Sequence, residues 1–452
     1  MSVAVPAGFR ALPLPLAQLS LAAVLKCGQS FRWSIFPLDV PSNSALGTNS
    51  PTHEYRLCLR DRVVCLRQSP DTLFYRSVFP PLVSEDEETR EAGTLAWIRD
   101  YFQLNVDLVD LYRQWSLADP IFKRIQDRFE GIRMLRQDPF ENLISFICSS
   151  NNNISRITKM VTSLCRTYSP ALLSLPPPAG TNLPEEAYHP FPSPSALAAA
   201  DVTAKLRALG FGYRADFIQK TAAMLVETHG LTRNPETSME ASEEWLMTLR
   251  HLGTPEARAE LLNFMGVGRK VADCILLMSL DKREVIPVDT HVQQIAIKHY
   301  GFRGPTKSGT MSPKVYEELS SKLAAVWGDY AGWAHSVLFT SDLKSFAAYG
   351  LASPSGLSTP STPGLTPDRS VNQPMDSPGV ATPRSTPRPQ STKRKRGGPK
   401  RSGDKAPSSE SETEETLAQL EVAVKVALPD ESGQSTLVDR VKRRRRGNVS
   451  VR

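Results

Sequence analysis

Residues 261–292, LLNFMGVGRKVADCILLMSLDKREVIPVDTHV, decide how the rest of this chain is read. The stretch starts as the end of one helix and runs into Phe264-Met265-Gly266-Val267-Gly268. Two glycines one residue apart, flanked by apolar residues, suit a tight hairpin whose backbone takes positive φ or approaches a ligand closely. Val271, Ile275 and Met278 then recur at helical spacing and predict a second helix. Its first turn leaves N–H groups unpaired at the positive end of the helix dipole, a phosphate site that reads no base sequence. Lys270 falls in that turn, where the dipole disfavours an ammonium and favours the neutral amine. A neutral amine is a nucleophile that attacks a sugar or carbonyl carbon and forms a Schiff base. Nineteen residues on, Asp289 follows Pro287-Val288 and opens another helical run. It is suited to stabilising a cationic sugar or assisting proton transfer. Two plainer readings stand beside these: Lys270 as one more phosphate contact, and Asp289 as an ordinary N-cap.

Helix, Gly-x-Gly hairpin and helix together resemble a helix-hairpin-helix, the DNA-backbone clamp of many repair proteins. With PVDTH behind it, the block GVGRKVADC is similar to the catalytic segment of the helix-hairpin-helix DNA glycosylases, and among them of the eukaryotic 8-oxoguanine DNA glycosylases. The resemblance gives Lys270 the role of nucleophile and Asp289 that of its partner. It implies that Cys274, one turn after Lys270, covers one face of an extruded base, and that Phe339, closing WGDYAGWAHSVLF, stacks on that base. Lys270 and Cys274, at i and i+4, do share one side of a helix. Gly28 in CGQSFRW corresponds to a glycine that offers its backbone carbonyl to the damaged base. His291 matches a phosphate contact, and Gly266 and Gly268 form the DNA-binding hairpin. In SSNNNISRI the resemblance makes Asn151 fill the space the base vacates and Arg156 read the orphaned cytosine. GFGYRA adds Tyr213 as a wedge between base pairs and Arg214 as a second cytosine contact. Read without the family, Gly28 is a turn glycine, the asparagines are cap and turn chemistry, and residues 327–339 form an aromatic core helix. One position departs: the family has glutamine where this chain has His335. That glutamine reads the Watson–Crick edge, and an imidazole donates and accepts without an amide's paired geometry.

Composition bounds the remainder. The 452 residues allow about two to four domains. No apolar run is long enough to span a membrane, and the N-terminus lacks the basic start of a signal peptide. Six cysteines without a CxxC pair argue against a zinc site or iron–sulfur cluster and fit a reducing compartment. The net charge of +7 sits entirely in the tail: residues 346–452 hold 18 Lys and Arg against 11 Asp and Glu, and residues 1–345 hold 36 of each. Any nucleic-acid affinity of the folded part therefore rests on local features.

Tyr55, Leu57 and Leu59 alternate with Arg56, Cys58 and Arg60, which predicts a half-buried strand. Turns at Asp61-Arg62 and Ser69-Pro70-Asp71 extend it into an antiparallel meander through Val78, with a loop over 37–53. The acidic stretch from Ser84 to Glu91 opens a helix. Phe140 to Cys148 reads as an apolar helix, Ile154, Ile157 and Val161 start another, and 170–195 and 228–242 read as surface loops. Beyond 345, seven Ser-Pro or Thr-Pro dipeptides and few large apolar residues predict disorder. Two basic clusters, at 393–401 and 440–446, suit nuclear import or DNA tethering.

The expected protein is α+β. An antiparallel-sheet domain (TBP-like, by the resemblance) spans 1–125, a helical helix-hairpin-helix catalytic domain 126–345, and a disordered tail 346–452. The resemblance implies a bifunctional DNA glycosylase and lyase removing 8-oxoguanine opposite cytosine, with the target nucleotide extruded because its C1′ is unreachable in the stack. It implies no metal and no diffusible cofactor. The expected partner is double-stranded DNA carrying oxidised guanine. The enzyme is expected to be a nuclear monomer, carried in by import machinery through its basic tail. The alternatives are a glycosylase of this architecture for another damaged purine, and a non-catalytic DNA-binding tether.

Overall fold

The computed structural model describes residues 4–38, 50–81, 86–179, 183–302 and 311–351. Five strands, β1 (Arg10–Pro13), β2 (Ser34–Pro37), β3 (His53–Cys58), β4 (Val63–Gln68) and β5 (Thr72–Val78), form one antiparallel sheet in the order β1-β5-β4-β3-β2. The meander from β3 to β5 follows the alternation and the two turns. β1 has four residues, one of them proline, too short for any periodicity to register.

The expected half-buried sheet is buried on both faces. Tyr55, Leu57, Val64, Leu66, Leu73 and Tyr75 pack on Trp33, Ile98, Tyr101 and Phe102. On the opposite face Cys58, Cys65 and Phe74 meet Phe9 and Tyr188. There Glu54 is fully buried and accepts from Arg56 Nε at 2.6 Å and Arg67 Nε at 2.7 Å. A buried carboxylate tolerates this only because charge and hydrogen bonds compensate its lost hydration. Tyr188 belongs to a second, two-stranded sheet, β6 (Leu173–Leu175) with β7 (Glu186–Tyr188), and the carbonyl of Pro176 accepts from Arg56. Part of the stretch expected as a surface loop, 170–195, is thus the cover of the sheet. Strands of three residues carry too little pattern to be read in advance. Likewise 228–242 is no plain surface loop: Glu240 is buried and forms a capping box with Glu243 at the helix Ala241–Thr248.

The helix Glu87–Tyr101 starts at Asp86, whose side chain accepts from Thr89 N–H, as the acidic stretch predicts. Two helical cores complete the fold. In one, Leu108, Trp115 and Phe122 pack with Trp327, Trp333 and Val337. In the other, the helices Pro139–Ile147, Ile154–Tyr168, Arg214–His229 and Arg269–Ser279 meet through Ile144, Val161, Ile218 and Ile275. Arg133, fully buried in the stretch between the helices Pro120–Ile125 and Pro139–Ile147, ties that stretch to the N-terminal segment and to the turn after Tyr101 by donating to the carbonyls of Gln18, Phe102, Gln103 and Val106. Its guanidinium meets carbonyl dipoles but no carboxylate, and burial lowers its pKa to about 10. The Ser/Thr-Pro stretch and both basic clusters lie outside the described residues. No helix among the described residues is long and apolar enough to cross a membrane.

Candidate active site

A cleft of about 1060 Å³ opens between the sheet-side segment 22–35, residues 149–158 leading into the helix Ile154–Tyr168, the hairpin's second helix and the helix Ala331–Asp342. Gly28, Lys270, Cys274, Asp289, His291, His335 and Phe339 all line it. Residues scattered over 300 positions of sequence therefore share one concave surface, and Gly266 and Gly268 precede the helix that carries Lys270 into it.

Of the two reasons for glycine that the hairpin sequence offers, positive φ applies at Gly266, and Gly268 leaves room for a close approach. Gly266 has φ +79°, and a Cβ there would come within 2.5 Å of the Phe217 ring. Gly268 is extended, at φ −91° and ψ 179°, with open space where a Cβ would stand. It is the N-cap of the helix Arg269–Ser279, whose first turn has no side-chain cap, so backbone donors there stay available to an anion.

Lys270 is the second residue of that helix. Its ammonium nitrogen lies 3.4 Å from Ser149 Oγ and 5.2 Å from the centre of the Phe146 ring. One turn on, Cys274 is buried; burial pushes its thiol up to about 11, against the opposing charge of Lys270. It is thus a thiol at neutral pH, an apolar wall with no thiolate character. Asp289 caps the helix Thr290–Tyr300, accepting from Val292 N–H at 3.0 Å. The plain N-cap reading is therefore correct as structure, yet the same carboxylate faces the cleft. Its charge acts on both Cys274 and His335.

His335 is 94% buried, and its Nε2 has no hydrogen-bond partner. Burial lowers its pKa to about 4, with Asp289 pulling the other way. The ring is neutral at pH 7 and holds an unused polar atom in the cleft. Phe339 lies beside it, with centroids 6.2 Å apart, and His291 meets Phe339 edge-on at 5.9 Å. Gly28 has φ +89°, and a Cβ there would sit 2.9 Å from Ile154 Cδ1.

What holds Gly28 in place was not legible. Gln29 is buried and links to the 133–137 stretch: it donates to Arg133 O, accepts from Leu135 N–H, and its carbonyl takes Gln137 Nε2. Arg32 makes a bidentate pair with Glu141, at 2.9 and 2.6 Å, and Trp33 Nε1 donates to Tyr101. Ser149 beside Lys270 carries no sequence signal beyond the turn chemistry of its Ser/Asn-rich stretch.

The residues implied in reading DNA cluster at one rim. Asn151 sits at the tip of its loop with φ +46°, and Tyr213 is 48% exposed. Tyr213 Oη and the Arg214 guanidinium both donate to the carbonyl of Ser150, and Arg156 donates to that of Gly210. The two loops thus brace each other. Arg214 is buried, and its guanidinium donates to the Ser150, Asn151 and Phe211 carbonyls. Among the described residues no group of three or more His, Cys, Asp or Glu is placed to hold a metal.

Two family descriptions match the chain: the 8-oxoguanine DNA glycosylase N-terminal domain over residues 11–143, and the HhH-GPD superfamily base excision DNA repair protein over 144–316. An N-glycosylase/DNA lyase of Saccharomyces cerevisiae is 34% identical over 351 residues, covering 74% of this chain and 86% of the relative. The N-glycosylase/DNA lyase OGG1 of Arabidopsis thaliana is 34% identical over 337 residues, covering 74% and 80%. Among solved structures, the 8-oxoguanine glycosylase/lyase of Clostridium acetobutylicum in its apo-form is similar with a TM-score of 0.52 at 26% identity, covering 72% of this chain and 93% of that one. The same enzyme in complex with double-stranded DNA containing cytosine opposite 8-oxoG gives a TM-score of 0.52, at 26% identity over 72% and 91%.

Proposed function

Because the chain belongs to the 8-oxoguanine DNA glycosylases of the HhH-GPD base-excision repair superfamily, we infer that it excises 8-oxoguanine opposite cytosine and cuts the strand at the resulting abasic site. The observation that carries this reading is the single cleft holding a lysine at a hairpin-helix N-terminus, an aspartate, and a buried histidine beside a phenylalanine. That set has a nucleophile, a carboxylate for positive charge, and walls that fit a flat base.

In the proposed mechanism the target nucleotide leaves the stack and enters the cleft. Lys270 Nζ bonds to C1′ as the glycosidic bond breaks, and the base departs with a proton. The C1′–O4′ bond then breaks, O4′ takes up a proton to become the C4′ hydroxyl, and an iminium is left between Lys270 and the sugar. Removal of a C2′ proton then expels the 3′ phosphate, cutting the strand on that side. Asp289 stabilises the cationic sugar and shuttles protons. No metal or cofactor is needed for any step.

Base selection is assigned by chemistry. Oxidation at C8 turns N7 of guanine from an acceptor into an N–H donor and leaves the Watson–Crick edge almost unchanged. A carbonyl at Gly28 accepts from that N–H and meets a lone pair in normal guanine, a difference of about 1–3 kcal/mol. Gly28 then detects the damage, His335 reads base identity, and Cys274 and Phe339 hold the base between them. At the rim, Asn151 and Tyr213 occupy the opened duplex, Arg156 and Arg214 read the cytosine, and Gly266, Gly268 and His291 hold phosphates.

Borohydride reduction during turnover tests the reading. It should trap the protein covalently on duplex containing 8-oxoguanine opposite cytosine. Lys270→Ala should abolish trapping and keep binding. Trapping that survives in Lys270→Ala would move the nucleophile elsewhere, and excision of another lesion in preference would overturn the substrate.

A monomeric enzyme is part of the same proposal. The basic clusters at 393–401 and 440–446 support nuclear entry through the tail.

A further inference from the structure

We propose that Tyr316, which does not line the cleft, is a positioning residue that sets Asp289 against Lys270. This rests on the mechanism above. One phenol hydroxyl joins two segments: it donates to Asp273 Oδ2 at 2.7 Å and accepts from the backbone N–H of Val288 at 3.0 Å. Val288 immediately precedes Asp289. Asp273 stands three residues after Lys270 on the same helix.

Asp273 is fully buried and is the anchor of the hairpin. Arg258 Nε, from the hairpin's first helix (Thr254–Leu261), donates to it at 2.7 Å, and Arg269 Nε at 3.1 Å. Arg269 also lies over the Tyr316 ring, 5.2 Å from its centre, and pairs with Glu317 at 2.7 Å. Tyr316 itself is buried in the helix Pro313–Trp327. Burial, and then the charge of Asp273, raises the phenol's pKa, so it stays a donor toward the carboxylate at any working pH. Both clamp helices are thus tied through one carboxylate and one hydroxyl to the backbone that carries Asp289. Val288 N–H has no backbone acceptor, and the segment between Pro287 and Asp289 is held at this point by Tyr316 alone among the described hydrogen bonds. A shift of this peptide moves the aspartate relative to the amine. Misplacement of a catalytic group by about 1 Å can cost on the order of a hundredfold in rate.

The test is a double-mutant cycle in the full chain, with single-turnover excision and equilibrium binding of an 8-oxoguanine duplex measured on wild type, Tyr316→Phe, Asp289→Asn and the double variant. Tyr316→Phe should slow excision by about tenfold and change the dissociation constant by less than about twofold. In the Asp289→Asn background it should add nothing, because the coupled pair is non-additive. Equal slowing in both backgrounds, or a loss confined to binding or thermal stability, would overturn the proposal. If Asp289→Asn excises normally, the role of Asp289 fails first; if it is slow while Tyr316→Phe is normal, only the relay fails. Should Tyr316→Phe not fold, Arg258→Gln, which frees Asp273 from the first helix, is put through the same cycle with the same expected non-additivity.

Discussion

Burial holds His335 neutral, and this ties the stability of the fold to pH. Its pKa is lowered from 6.5 to about 4. Between those values the unfolded chain takes up a proton that the folded chain refuses. The contribution is therefore fully present above pH 6.5 and is lost as pH falls toward 4, a change on the order of 3 kcal/mol. His335→Gln should remove that component, so urea midpoints at about pH 7 and pH 4.5 should differ less in the variant than in wild type. Equal differences would assign the acid sensitivity to other groups. The same substitution should leave excision of 8-oxoguanine intact if His335 reads only base identity. Gly28 allows no such exchange. At φ +89° with Ile154 Cδ1 2.9 Å from the Cβ position, Gly28→Ala is strained and must displace its neighbour. Lesion excision should fall by roughly ten- to a hundredfold, measured under single turnover; normal excision would take this carbonyl out of damage detection.

In the proposed mechanism two helix N-termini carry the chemistry, and each can be tested apart from folding. Asn caps helices about as well as Asp, so Asp289→Asn should keep the Val292 hydrogen bond and cost under about 1 kcal/mol of stability. Turnover should nonetheless fall about a hundredfold or more from the lost charge. Near-normal turnover would reduce Asp289 to a cap. In the hairpin the two glycines should separate. Gly266→Ala meets Phe217 and a positive φ, and should destabilise by about 1–3 kcal/mol. Gly268→Ala meets nothing within the protein and should leave thermal unfolding unchanged. It would, however, place a methyl over the uncapped first turn. Affinity for damaged and undamaged duplex should then weaken alike, read by fluorescence anisotropy, because phosphate contacts carry no sequence. Unchanged affinity would put the backbone contact elsewhere.

Across the whole molecule, the end of the folded part is more specific than composition suggests. Arg128 donates to the carbonyls of Phe346 and Tyr349, and Tyr349 Oη meets Ser20 Oγ at 2.8 Å. Residues 346–349 thus belong to the fold. Removing 352–452 should leave excision by purified protein near normal and abolish nuclear accumulation of a fluorescent fusion. Removing everything after 345 should instead lower stability, since it strips Arg128 of its acceptors and uncovers Phe129, on which Tyr349 stacks at 5.7 Å. A loss of excision beyond about tenfold at physiological salt in the shorter deletion would make the tail a DNA contact.

Sequence by itself determined the hairpin that carries the proposed nucleophile and several elements of the frame around it, because each sits in a local signal. Gly266-Val267-Gly268-Arg269-Lys270 marks a hairpin and a helix start within five residues. Period-2 alternation marks β3 to β5, and the acidic stretch at 84–91 marks a helix opening. Only tertiary structure decided what supports them. The second face of the sheet is buried because a hairpin of three-residue strands covers Cys58, Cys65 and Phe74. Arg133 is buried without a carboxylate because carbonyls from distant turns converge on it. Gly28 is held by Gln29 and Arg32 through partners more than 100 positions away. Tyr316 reaches Val288 and Asp273 from another helix, and His335 loses its charge only because packing takes its water away. Periodicity and caps are properties of neighbours along the chain. Partners, burial and charge states are properties of neighbours in space, which no local pattern records.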